Sequence, residues 1–160
     1  MWQSFQPFFD WHTDSWLGNL VSGSTWLFPA LETVHILAMA IMLAGIFILN
    51  MRLVGLGMNE TPLPLLSKTL NPYINWGLIL MILSGYGMFA SEADKSFYND
   101  GFKFKMASFG LVLIFQYTIY RSVTKRPDGE RSFALGAMVA LTSFVLWFCV
   151  SAGGRAIGFV

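Results

Sequence analysis

Five residues of this chain have the chemistry to hold a ligand inside a membrane. His35 is the only histidine within an apolar run, LFPALETVHILAMAIMLAGIFILNMR, and Glu32 precedes it by less than one helical turn. Lys105 stands in FKFK at the start of a later apolar run, Arg155 in SAGGRAIGF at the end of the last one, and His12 in the aromatic N-terminal stretch. An ionisable group at membrane depth costs about 3 kcal/mol on insertion scales, so one that is present faces protein, water or a ligand. Imidazole is a usual axial ligand of haem iron, the porphyrin needs an apolar and aromatic slot, and its propionates need cations near the membrane surface. The set therefore predicts a b-type haem with His35 on the iron, Lys105 and Arg155 toward the propionates, and Glu32 beside the ring. For the second axial position the sequence offers His12, Met39 or an open site.

The same residues admit other chemistry. Glu32, His35 and Lys105 could form a proton or ion relay in a transporter. They could also pair only with one another in an accessory subunit, with Lys105 and Arg155 acting as interface anchors. Met39, Met42, Met81, Met88 and Met106 are conceivable soft copper ligands. The single cysteine, Cys149, reads as packing. No nucleophile elbow, phosphate-binding glycine loop or paired histidines at helical spacing occur. A net charge of +1 with no basic stripe argues against a nucleic-acid partner.

The elements that must position these groups are helices in a bilayer. Of the 160 residues 55% are hydrophobic and 12% charged, and the mean hydropathy is +0.57, values foreign to a soluble domain. About 20 apolar residues at ~1.5 Å each cross the ~30 Å hydrocarbon core. On that basis spans are expected over about 27–50, 72–90, 102–120 and 133–152, giving an all-α, four-helix integral membrane bundle in one domain. Residues 1–24 have no Lys or Arg and do not form an apolar signal-peptide core. Phe5, Phe8, Phe9, His12, Trp16 and Leu20 recur at helical spacing there, which predicts an amphipathic helix lying in the headgroup layer. Pro72, after Asn71, is expected to open the second span. Helical spacing puts Glu32, His35, Met39 and Met42 on one inward stripe.

With four spans the termini share a side. The two loops opposite them hold Arg52, Lys68, Arg121, Lys125, Arg126 and Arg131, against Lys95, Lys103, Lys105 and Arg155 on the terminal side. The positive-inside rule then puts both termini in the periplasm, for a protein of the bacterial inner membrane, with His35 near the outer leaflet. Small-residue faces and the aromatic N-terminus favour a homo-oligomer. A haem protein of this kind implies electron transfer or a membrane oxidoreductase subunit, with a redox partner or quinone.

The motifs LETVHILAMAIMLAGIFILNMRLVGLG, YNDGFKFKMASFGLVLIFQYTIYR and AGGRAIGF resemble an uncharacterised bacterial family of small four-span membrane proteins. The likeness covers most of residues 26–158. Its recurring positions fall on His35, Arg52 with Leu53, Lys105, and Gly154 with Arg155. More distantly the layout is similar to membrane proteins of the copper-resistance protein D type and to the HemJ type of protoporphyrinogen oxidase. Those also join a first-span histidine to a later lysine. The HemJ-type likeness implies haem or porphyrin binding at His35 and Lys105; the HemJ aromatic and histidine pattern is otherwise missing, so it implies the haem without the reaction.

Overall fold

A computed structural model describes residues 6–159, and among these every regular element is helical. Two short helices, α1 (Gln6–Thr13) and α2 (Trp16–Ser22), lead into α3 (Leu27–Leu53) and α4 (Leu63–Ser91). The short α5 (Ala93–Tyr98) precedes α6 (Asp100–Phe115), which runs without a break through a π-helical turn (Gln116–Tyr120) into α7 (Arg121–Thr124). Helix α8 (Phe133–Ala156) closes the chain. Three helices, α3, α4 and α8, are long and apolar enough to cross a membrane. The span expected over about 102–120 falls on α6 and the π turn, which are helical but do not qualify by the same measure. At 16 residues α6 alone covers only about 24 Å.

Helix α4 corrects the sequence reading. It begins nine residues before the expected start, because Pro64 sits in its first turn, where the missing N–H costs nothing. Pro72 is an interior residue, exposed on the helix surface. The N-terminal segment also differs. It forms two helices instead of one, since Ser15 takes over the backbone between them: its hydroxyl donates to the His12 carbonyl at 2.6 Å and accepts from Gly18 N–H at 3.1 Å. That N-cap starts α2 afresh. Phe9 and His12 turn into the protein, while Phe8, Trp11, Trp16 and Leu20 stay exposed. Phe9 meets Phe89, Phe97 and Phe102 in edge-on contacts, so α1 is a lid on one end of the bundle. Trp2 and Phe5 lie outside the described residues.

The four long elements line up in the order α4, α3, α8, α6, each packed along its neighbour. The outer two, α4 and α6, barely touch along their lengths. They are joined near one end by the stacked Phe89 and Phe102 rings and near the other by the Tyr117 hydroxyl, which donates to Asn75 Oδ1 at 3.0 Å. The surface is apolar, and small polar residues stand among the apolar side chains of the packed interior. Leu37, Phe47, Leu83, Leu111, Leu141 and Phe148 are exposed, whereas Ser67, Ser84, Ser108 and Ser143 are buried. In a bilayer, helices gain nothing from hiding leucine from lipid, so close approach at small residues holds them together. Gly77 shows this: a Cβ there would lie 2.9 Å from the Ala38 carbonyl oxygen and 2.9 Å from Met42 Cβ.

The end away from the chain termini is locked by charge. The Arg52 guanidinium donates to the Thr61 carbonyl at 3.0 Å and pairs with Asp128 at 3.0 Å. Asp128 also accepts the Leu63 N–H at 3.3 Å and faces Arg131 at 3.7 Å. One carboxylate thus ties the end of α3, the start of α4 and the approach to α8. The Arg52 and Arg131 side chains are 11% and 8% exposed, so removing their counter-ion strands two nearly buried cations. Asp128→Ala should lower unfolding stability in detergent by about 1–3 kcal/mol, less than for a fully buried pair because Asp128 itself is 37% exposed. Circular dichroism during SDS titration measures it, and an unchanged midpoint would count against the clamp.

Candidate functional site

His35 lies two turns into α3 on the side that meets α4. A Cβ at Gly85 would come within 3.1 Å of His35 Cε1, so the imidazole occupies the space that this glycine leaves. Its Nδ1 is 3.2 Å from Ser84 Oγ. The Ser84 hydroxyl proton is already committed, to the Leu80 carbonyl at 2.6 Å. Ser84 can therefore only accept from the ring. In the neutral imidazole this places the proton on Nδ1 and the lone pair on Nε2, the arrangement by which a buried acceptor orients a ligating histidine.

Lys105 comes from the second turn of α6. Helix α6 crosses α8 so closely there that a Cβ at Gly153 would lie 3.0 Å from the Lys105 backbone. The lysine side chain follows α8 past Gly154. Its ammonium and the Glu32 carboxylate both act electrostatically on His35, so three of the expected residues share one neighbourhood. Glu32 itself is exposed, and of the expected inward stripe Met42 is fully buried while His35 and Met39 are half-buried. Arg155 is exposed in the last turn of α8, at the same end. The start of α6 is fixed to the chain's tail by Asn99, which accepts from Phe102 N–H at 3.1 Å and donates to the Ile157 carbonyl at 3.1 Å.

His12 occupies a different environment. It is 4% exposed, enclosed by Phe8, Trp11, Tyr86 and Phe89. Its Nδ1 donates to the Phe8 carbonyl at 2.8 Å, which leaves the lone pair on Nε2 here as well. His12 packs on Tyr86 and Phe89, whereas His35 meets α4 at Ser84 and Gly85. Among the described residues no three His, Cys, Asp or Glu side chains gather as an all-protein metal site. Haem iron, by contrast, needs only one or two protein ligands.

A second polar focus, in the other half of the bundle, was not singled out from the sequence. Tyr120 is 1% exposed and donates to Asn50 Oδ1 at 2.9 Å, while Asn50 Nδ2 donates to Ser143 Oγ at 3.3 Å. Gln116, one turn before Tyr120, is also buried. The available signal was spacing: Asn71 with Asn75, and Gln116 with Tyr120, place polar pairs four apart in otherwise apolar stretches.

The model of a family of unknown function, DUF6644, matches residues 8–160, and the chain belongs to that family. Nothing in this match ties it to the copper-resistance protein D or HemJ types. No curated protein and no solved structure matches the chain.

The His35–Ser84 geometry sets a spectroscopic expectation. In protein labelled with ¹⁵N-histidine at neutral pH, His35 should show the Nδ1–H tautomer, and Ser84→Ala should convert it to a mixture. The loss of one neutral hydrogen bond should cost about 1 kcal/mol in detergent unfolding. An Nε2–H tautomer in the unsubstituted protein would contradict the assignment.

Proposed function

We propose that this member of DUF6644 is a b-type haem protein of the bacterial inner membrane that carries electrons, with His35 as axial ligand. The observation that carries the reading is the His35–Ser84 hydrogen bond, because a proton held on Nδ1 leaves the ring's lone pair on Nε2. Haem, when bound, supplies reversible one-electron chemistry at iron. The chain's own part is to hold and tune it. Ser84 fixes the ring's tautomer and rotation. Lys105 and Arg155 offer cations at the same end for two propionates, and Glu32 moderates the charge beside the ring. Met39 and His12 are the candidates for the second axial position; His12 would have to leave its aromatic enclosure.

In this reading α6, the π turn and α7 together form the third of four spans. The loops carrying Arg52, Arg121, Lys125, Arg126 and Arg131 face the cytoplasm, and both termini face the periplasm. The exposed apolar faces serve lipid and a homo-oligomeric contact. A redox partner or a quinone exchanges electrons with the site. The electrostatic coupling of Glu32 and Lys105 to His35 also favours a second reading, a proton or ion relay in a transporter. An accessory-subunit role would use the same groups only as internal partners.

An absorption spectrum of the detergent-purified protein, with and without dithionite, separates these. The haem reading expects a Soret band that sharpens on reduction, disappears in His35→Ala, and is retained with about 10–100-fold weaker haem affinity in Lys105→Gln, the loss of one charge-assisted contact. A colourless protein from cells supplied with haem, together with pH-dependent ion flux in liposomes, transfers the assignment to the relay. A colourless protein without flux leaves the accessory role.

A further inference from the structure

Between the π turn and α8 lies an apolar groove of about 270 Å³, lined by Phe115, Ile119, Leu135, Met138, Val139 and Thr142. Its two walls are pressed together toward the chain termini, where Gly153 meets the Lys105 backbone, and part toward the loop end. Ile119 and Met138 are 52% and 67% exposed, so the groove opens sideways onto the apolar surface that faces lipid. Its length is that of one leaflet. Leu135 lies in the first turn of α8 and Thr142 nine residues past Phe133, about 14 Å along the helix at ~1.5 Å per residue, against ~15 Å for half of the ~30 Å hydrocarbon core.

The loop end of this groove carries charge. Residues 125–132 join its two walls, and Lys125 and Arg126, which begin that connection, are exposed and make no ion pair among the described residues. Arg131 and Asp128 are engaged with each other and with Arg52, which leaves Glu130 as the one acid in the connection to set against two cations. Long basic side chains at a helix end reach the headgroup level, where they attract lipid phosphate. A spanning helix of a second copy would need a seam along all of α8, and the close approach of Lys105 and Gly153 shuts the seam further along. We propose that the groove binds one anionic phospholipid, an acyl chain lying along Ile119, Met138 and Thr142 and the headgroup phosphate meeting Lys125 and Arg126. The site makes no use of His35 and stands apart from the haem reading.

The full-length protein in detergent is titrated with palmitoyl-oleoyl phosphatidylglycerol and, separately, with zwitterionic phosphatidylcholine of the same chains, and bound lipid is counted by native mass spectrometry. One phosphatidylglycerol should bind about tenfold more tightly than phosphatidylcholine, the order that two surface cations supply. Lys125→Gln combined with Arg126→Gln should bring the two lipids to equal affinity. Met138→Trp, which fills the groove, should weaken phosphatidylglycerol by a similar factor, and glycerophosphoglycerol, the headgroup without chains, should not compete. Should Met138→Trp lose its helical circular dichroism, the charge variant decides, since Lys125 and Arg126 are exposed. Equal affinity for the two lipids in the unsubstituted protein, a preference that survives loss of both cations, or competition by the free headgroup overturns the proposal. A dimer that Met138→Trp converts to monomer with its lipid affinity intact also overturns it, and assigns the groove to a second copy.

Discussion

The contact of Gly77 with the Ala38 carbonyl and Met42 sets the register between α3 and α4, and the candidate site depends on that register. Two turns along α4 from Gly77 come Ser84 and Gly85, and one turn back along α3 from Ala38 comes His35. With the helices pressed together at Gly77, the imidazole is delivered to the Ser84 hydroxyl, which accepts its Nδ1 proton. The histidine's chemistry is thus prepared by a backbone approach one or two turns away. In lipid, where apolar burial gives no preference between neighbours, such an approach is what distinguishes one helix pairing from another.

The two ends of the molecule use charge differently. At the loop end, Arg52, Arg131 and Asp128 neutralise one another and join three segments into a clamp. At the terminal end, Lys105 and Glu32 both act electrostatically on His35, and an aromatic lid of Phe9, Phe97 and Phe102 covers the neighbouring helix ends. One end is closed by structure. The other keeps charge available beside a nitrogen lone pair.

Much of this was legible in the sequence, for physical reasons. His35, Glu32 and Lys105 stand out because an ionisable side chain in an apolar run is expensive, and the alternation of spans puts them at one end. The membrane character follows directly from composition and run length. Pro72 misled because proline marks a helix start locally, yet a long helix tolerates it on an exposed face. The N-terminal periodicity correctly signalled helix but could not say whether Phe9 would meet lipid or protein. Asn50, Gln116 and Tyr120 passed unremarked since neutral polar groups in apolar runs carry little signal until packing brings them together.

The π turn gives α6 and α7 a property that neither has alone. A regular helix advances about 100° per residue, and a π turn accommodates one residue more than the regular helix would. Ser108, Val112 and Phe115 therefore face the interior on one angular setting, while Tyr120, Val123 and Thr124 face it on another. The chain is a rod with a built-in twist. Its terminal half lays Lys105 along α8 at Gly153 and Gly154, while its loop half, on the other setting, brings Tyr120 to Asn50.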